Sequence, residues 1–466
     1  MSPASTTTLE RLRGVAGGAS VSTDSAQLEA FRVDGMQPAA VVRPATAEGV
    51  AEVVRFAAAE KLGVVPVGGR TKLGIGMPPT RYDLALDMTG LNRVIAYDPN
   101  DLTLSVEVGL RLAELTPMLA EHKQFLPLAV PFTRQTTIGG TIATGVDSPL
   151  RQFYGTARDY VLGIEFVTGA GVLTKSGGRV VKNVAGYDLH KLMIGALGTL
   201  GVITRVNFKT FPLPPASCGF VAAFPNFEAA LEMRKRVLES PLQPLTLEVL
   251  SPALAQIFHC QAPTTLGEAL GPVGTWLSTS EWTLTAGFGG REPVLERYAT
   301  ELTRLAAESC ATNTAVLDDT DRPLLWGRLR ECFPMLLETS PLATIFKIGA
   351  LSSQLGRVLN TLRLTLERHS LPLVTLVRGA GLTYVALLPT KPGPEGLQQL
   401  ADAVTPVFEV GAGLAEHVTI PWCPTELKRR INVWGPPRRD HSLLVKMKQT
   451  FDPQNILNPG RYVGGL

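Results

Sequence analysis

Six glycines fall within the 28 residues from Gly177 to Thr204, at Gly177, Gly178, Gly186, Gly195, Gly198 and Gly201. The stretch closes in an apolar, strand-like run, Leu200 to Thr204. Backbone this poor in Cβ atoms, in an apolar setting, lies against another backbone or against a ligand. The longest uncharged run here, Leu192 to Thr204, has 13 residues and three glycines. That is too short for a membrane-spanning helix, which needs about 20 apolar residues.

A chain of 466 residues exceeds one ordinary core, so two or three domains are expected. A net charge of +3 gives no argument for a nucleic acid or a membrane surface as partner. The five cysteines, Cys218, Cys260, Cys310, Cys332 and Cys423, are odd in number and form no Cys-x-x-Cys. They argue against a disulfide framework, a zinc site or an iron–sulfur cluster, and for a reducing cytoplasm. The N-terminal residues lack a basic-then-apolar signal pattern.

Read in order, Val41–Pro44 is a short strand. Thr46 caps a helix with apolar positions at Val50, Val53, Val54 and Ala57, which Gly63 ends. Val64–Val67 is a buried strand. Leu102–Val108 alternates as a half-buried strand, Leu110–His122 is a helix, and Pro127–Gly155 is a long turn-rich passage. Val161–Val167 and Gly171–Thr174 form a hairpin. Phe211-Pro-Leu-Pro-Pro215 is a break. Beyond it, strands and helices alternate with antiparallel returns, as in an α+β layer.

Gly68-Gly-Arg-Thr-Lys-Leu-Gly74 follows a strand at once. Its N–H groups could converge on a diphosphate, with Arg70, Thr71 and Lys72 adding donors. The residues alone also fit a tight turn with two exposed cations. Neither Gly-x-Gly-x-x-Gly nor Gly-Lys-Ser/Thr occurs, so this is neither a Rossmann fingerprint nor a P-loop. Pro131-Phe-Thr-Arg-Gln-Thr-Thr-Ile-Gly-Gly-Thr-Ile-Ala-Thr-Gly145 is a second Gly-rich loop, and Gly198-Thr-Leu-Gly-Val-Ile203 belongs to a third. Asp188 and His190 read as a satisfied polar pair rather than an acid–base couple.

These three loops, with Lys182-Asn-Val-Ala-Gly-Tyr-Asp188, resemble the FAD-binding domain of the vanillyl-alcohol-oxidase/PCMH superfamily. Within it they are most similar to the FAD-binding subunit of bacterial glycolate oxidase. The resemblance implies an α+β protein: a PCMH-type two-lobed FAD-binding domain (1–212), an α+β cap domain (213–425) with an antiparallel sheet covered by helices, and a C-terminal segment (426–466) returning to the FAD domain. It implies cofactor contacts from Val67, Gly68, Gly69, Arg70, Thr71, Lys72 and Leu73. The second loop would add Pro131, Thr137, Gly139, Gly140, Ala143, Thr144, Tyr154 and Gly155, and the third Gly198, Gly201, Val202 and Ile203, with Asn458 from the tail. Some relatives bind flavin covalently through a His after the paired glycines. Arg70 stands there, and no Cys precedes Cys218, so the FAD is expected to be non-covalent.

Related 2-hydroxy-acid enzymes hold a divalent metal on a His-x-Gly-Asp-Gly-Asn-x-His turn. Val377-Arg-Gly-Ala-Gly-Leu-Thr-Tyr384 is the comparable stretch, with Val377 and Tyr384 at the ligand positions, so no metal is expected. Glu416-His417 resembles a Glu-His pair of those enzymes. Trp326-Gly-Arg-Leu-Arg-Glu331 is similar to a Trp-x-x-Arg-Glu element, which makes Arg330, with Lys347, a candidate for binding the substrate carboxylate. Those residues, with Arg328, also fit a solvated helix face partnered by Glu331. The implied function is a redox subunit of a glycolate (2-hydroxy-acid) oxidase or dehydrogenase complex, with a sister flavin subunit and an iron–sulfur subunit as partners. The site would be cytoplasmic, or peripheral at the inner face of the membrane through those partners. A stand-alone FAD oxidoreductase and a non-catalytic assembly subunit are the alternatives.

Overall fold

The computed structural model describes residues 6–16, 21–179, 186–264, 271–437 and 439–466. The first lobe is a four-stranded sheet of β1 (Val21–Ser22), β2 (Ala40–Val42), β3 (Val64–Val67) and β4 (Leu84–Asp87), in the order β1-β2-β4-β3. Strands β2, β3 and β4 run parallel. The crossover between β2 and β3 is the helix Ala47–Glu60. Thr46 caps it, accepting from the Gly49 N–H at 3.0 Å. Its Val50, Val53, Val54 and Ala57 recur at helical spacing and are buried. The helix ends at Lys61, which turns left-handed at φ 55°, two residues before the expected stop at Gly63.

The second lobe is antiparallel: β5 (Val94–Asp98), β6 (Thr103–Glu107), β8 (Val161–Val167), β9 (Leu173–Gly177) and β10 (Val202–Lys209), ordered β5-β6-β10-β8-β9. A small ribbon of β7 (Gln124–Phe125) and β11 (Phe211–Pro212) sits beside it. One core joins the two lobes, running from Val42 and Val54 to Phe166 and Phe208. The passage expected to be turn-rich contains two helices, Ile138–Thr144 and Arg151–Tyr154. Paired glycines and threonines have low helix propensity, which hid the first of them.

The second domain is an eight-stranded antiparallel sheet of β12 (Ala216–Phe224), β13 (Thr246–Leu250), β14 (Trp282–Gly290), β15 (Asn313–Leu317), β16 (Thr344–Gly349), β17 (Val374–Arg378), β18 (Leu382–Leu387) and β19 (His417–Trp422). Its order is β15-β12-β14-β13-β17-β18-β16-β19. Residues alternate between two cores. Phe220, Leu284, Val249, Val377 and Val385 face the long helices Phe227–Glu239, Glu292–Glu308, Leu355–Arg368 and Gly393–Leu414. Val221, Leu250, Leu376, Tyr384 and Ile345 face the helices Pro252–Cys260, Asp321–Arg330 and Cys332–Thr339. Ile75 and Leu197 of the first domain enter that second core, so the sheet's inner face is where the domains meet.

The end of the chain comes back to β3. Val64 donates its N–H to the Ile456 carbonyl and accepts from the Asn458 N–H, both at 2.8 Å. Asp452 holds the turn, accepting from the N–H groups of Ile456 at 3.1 Å and Leu457 at 2.8 Å and pairing with Lys448 at 2.6 Å.

Candidate functional site

The loop after β3 packs too closely for side chains. A Cβ on Gly69 would stand 1.8 Å from the Gln135 carbonyl oxygen, and one on Gly68 2.2 Å from Thr137 Oγ1. Those contacts press loop 68–73 onto the start of the helix Ile138–Thr144. The helix's last carbonyls meet the turn before β10: Gly195 N–H reaches Ile142 O at 2.9 Å, and Leu197 N–H reaches Ala143 O at 2.7 Å. Asn458 braces the same turn through Leu197 O.

Three adjoining cavities follow this helix. The first, about 60 Å³, is lined by Val67, Gly68, Thr137, Gly139, Gly140, Ala143, Gly198, Gly201, Val202 and Ile203. The second, also about 60 Å³, shares Gly68, Thr137, Gly140 and Ala143 and adds Gly69, Arg70, Thr71, Lys72, Leu73, Thr144 and Asn458. The third, about 180 Å³, shares Thr144 and is lined further by Gly155, Asp147 and Arg151. An outer cleft of about 1300 Å³, bordered by Arg43, Arg111 and Arg134, meets them at Gly68, Gly69 and Arg70. Two expected contacts lie off the cavities. Pro131 offers its carbonyl to Thr136 Oγ1 at 2.9 Å. Tyr154 turns its ring between Phe125, at 5.3 Å, and Phe211, at 4.9 Å. Asn183 and Lys182 lie outside the described residues.

Lys72 is 7% exposed, which removes the reading of this loop as a turn with two exposed cations. Among the described residues its ammonium donates only to hydroxyls, Thr136 Oγ1 at 2.8 Å and Thr71 Oγ1 at 3.0 Å. Burial lowers its pKa to about 7, against the opposing charge of Glu331.

Across the domain boundary, the sheet's inner face carries a row of polar residues. Strand register sets Thr285 beside Glu248, Glu248 beside Arg378, and Tyr384 beside Lys347. Arg378 pairs with Glu248 and, through Nε, with Asp147 Oδ2 at 3.0 Å, and its guanidinium lies 5.6 Å from the Tyr384 ring centre. Arg151 reaches Asp147 at 3.4 Å. Burial lowers the pKa of Lys347, while Asp147 acts to raise it.

The FAD binding domain model matches residues 38–177, and the C-terminal domain model of FAD linked oxidases matches 213–386 and 437–462. The chain belongs to the FAD-linked oxidases. It is 24% identical to glycolate oxidase subunit GlcD of Bacillus subtilis over 91% of this chain and 88% of that one. It is 36% identical to glycolate oxidase subunit GlcE of Escherichia coli, over 43% of this chain and 56% of that one. Among solved structures, p-cresol methylhydroxylase aligns over 98% of this chain and 96% of its own, with a TM-score of 0.76 at 18% identity. The fold is PCMH-type, and the protein is an FAD-dependent oxidoreductase.

The cleft of this FAD-linked oxidase fits its cofactor. At Gly140 a Cβ would meet only Thr137 Oγ1, at 3.3 Å, so that helix face is open to the cavity. A buried ammonium whose described partners are hydroxyls suits a dianionic diphosphate.

The remaining candidate residues are spread over both domains. Val377 packs on the sheet face covered by the four long helices and Tyr384 on the inner face, so the two positions compared with metal ligands do not face each other. Glu416 and His417 are exposed at the start of β19. The helix around Arg328 is not a solvated face: Arg328 is 1% exposed and donates to the carbonyls of Phe258 at 2.8 Å and Gly271 at 2.9 Å. Arg330 meets Glu331 at 3.7 Å, and among the described residues its Nε makes no hydrogen bond. Among the described residues no hydrogen bond or ion pair links Arg330 to Lys347. Asp188 pairs with Lys191 at 2.7 Å, and His190 Nδ1 lies 3.2 Å from Ser176 Oγ, so both are satisfied locally. Sequence reasoning missed Asp147 and Glu248 and passed over Arg378. The available signal was a lone charge inside each of two apolar strands, Thr-Leu-Glu-Val-Leu and Val-Thr-Leu-Val-Arg.

Proposed function

We propose that this chain is the FAD-binding redox subunit of an oxidase or dehydrogenase complex acting on glycolate or a close 2-hydroxy acid. It would work in the cytoplasm beside a sister flavin subunit and an iron–sulfur subunit. Residues 68–73, Thr137, Gly139, Gly140, Ala143 and Thr144, with Gly198, Gly201 and Asn458, would hold FAD without a covalent bond. FAD, when bound, supplies the hydride acceptor. The chain's own residues orient and exclude water. Arg330 Nε and the Lys347 ammonium are donors suited to a carboxylate. The observation that carries the subunit reading is the hairpin β17–β18. It presents Arg378, already clamped by Asp147 and Glu248, and Tyr384, which offers a phenol. Neither residue is a usual metal ligand, so stabilising an alkoxide there would fall to a partner.

The isolated chain, carrying flavin that acid releases, should oxidise glycolate and lactate poorly with an artificial acceptor. Added zinc or manganese should not rescue it, and co-purified sister subunits should. Robust turnover by the lone, metal-free chain would promote the stand-alone enzyme. That second reading draws support from Lys347 and Arg330.

A further inference from the structure

Lys72 and Glu331 stand on different domains, and a short run of hydrogen bonds joins them. Lys72 Nζ donates to Thr136 Oγ1 at 2.8 Å, and that hydroxyl donates to Pro131 O at 2.9 Å. The loop between is gripped by Glu331, which is fully buried. One carboxylate oxygen accepts from Phe132 N–H at 2.7 Å, the other from Thr133 N–H at 3.2 Å and from the Thr133 hydroxyl. Phe132 sits at φ 62°, a left-handed conformation that costs a non-glycine residue roughly 1–2 kcal/mol. Two successive N–H groups bound by one carboxylate hold it there. The helix Ile138–Thr144, which shares the cavity with Lys72, begins two residues after Thr136.

We propose that Glu331 is a positioning residue: the cap's carboxylate fixes loop 131–136 and, through Thr136, aims the Lys72 ammonium at the FAD diphosphate. Seating of the cap and retention of the cofactor are then one event. The inference rests on placing the diphosphate at loop 68–73. The other charges nearby face partners of their own, although among the described residues Arg330 Nε makes no hydrogen bond. Arg70 lies 5.2 Å over the Phe31 ring, and Arg461 donates to the carbonyls of Leu73 and Ile75. Lys428 pairs with Asp34 at 2.8 Å, and Arg330 faces Glu331. Among the described residues Lys72 donates no hydrogen bond to a carboxylate, and a bound dianion would supply that partner.

Lys72 must be charged to hold the diphosphate, so affinity falls as pH rises through its lowered pKa, about 7 in the apo-protein. Glu331 raises that pKa, so removing its charge moves the fall to lower pH. FAD is titrated into apo-protein between pH 6 and 9, followed by flavin fluorescence, for wild type, Lys72→Met, Glu331→Gln and the double variant. Lys72→Met should weaken binding about tenfold to hundredfold at low pH and flatten the profile. Glu331→Gln should weaken binding and shift the midpoint down, and the double variant should resemble Lys72→Met alone. An unshifted midpoint in Glu331→Gln, or additive losses in the double variant, overturns the coupling. Wild-type binding by Lys72→Met overturns the placement of the diphosphate instead. If circular dichroism reveals that Glu331→Gln misfolds, Thr133→Val carries the test, since it drops one loop contact and keeps the charge. Weaker FAD binding then supports the link, and wild-type binding sinks it.

Discussion

At Gly140 structure and chemistry separate cleanly. Its Cβ would meet nothing closer than Thr137 Oγ1 at 3.3 Å, inside a helix, where alanine is favoured over glycine by roughly 0.5–1 kcal/mol. Gly140→Ala should therefore raise the thermal stability of the apo-protein slightly while weakening FAD binding, and Gly140→Val should abolish flavin retention in a folded chain. Wild-type flavin content in Gly140→Val would remove the helix from the cofactor site. The other loop glycines are poorer probes. A Cβ on Gly69 strikes the Gln135 backbone, and one on Gly201 comes 2.7 Å from the Phe166 ring. Loss of flavin in those variants would report a displaced fold as readily as a lost contact. Gly195 has φ +81°, so even alanine is strained there.

At the scale of elements, the hairpin β17–β18 is the sharpest case. Arg378 is bound by one carboxylate of its own sheet and one from the first domain. Arg378→Met would leave Asp147 and Glu248 buried without a counter-charge, a loss of about 3–5 kcal/mol for a broken buried pair. Urea unfolding should register it, and a variant as stable as wild type would mean that the Arg378 ion pairs do not stabilise the contact between the domains. The strand itself was legible in its sequence, Val374 to Val377, and so was the helix Leu355–Arg368, because alternation and helical spacing mark buried faces. The helices Ile138–Thr144 and Pro252–Cys260 were not. The first is stabilised by capping and by the turn at Gly195 to Leu197 rather than by propensity, and the second lacks a strong polar face. The glycine loops could be read as a set since backbone approach demands glycine. The row Glu248, Arg378, Tyr384 and Lys347 could not, because only strand order brings four separate segments together.

Across the whole molecule, three bodies of structure converge on one cleft: two lobes joined by a common core and a cap whose sheet turns its polar row inward. Among the described residues no helix is long and apolar enough to cross a membrane. The closing turn from Asp452 to Arg461 braces β3, Leu73, Ile75 and Leu197 at once. A chain truncated after Met447 should keep the secondary structure of its cap yet purify without flavin. Full flavin content in that truncation would contradict the role given to the tail.

That turn also sets a clock. Chains emerge from the ribosome N-terminus first, and domains begin to fold as they appear. The loop after β3 is made early, but the residues that brace it, Ile456, Asn458 and Arg461, are joined almost 400 positions later, by the count from Val64 to Arg461. Until then Val64 and the Leu73 and Ile75 carbonyls lack their final partners. With the diphosphate at loop 68–73, as proposed above, the nascent chain should therefore begin to retain flavin only once Arg461 has been added.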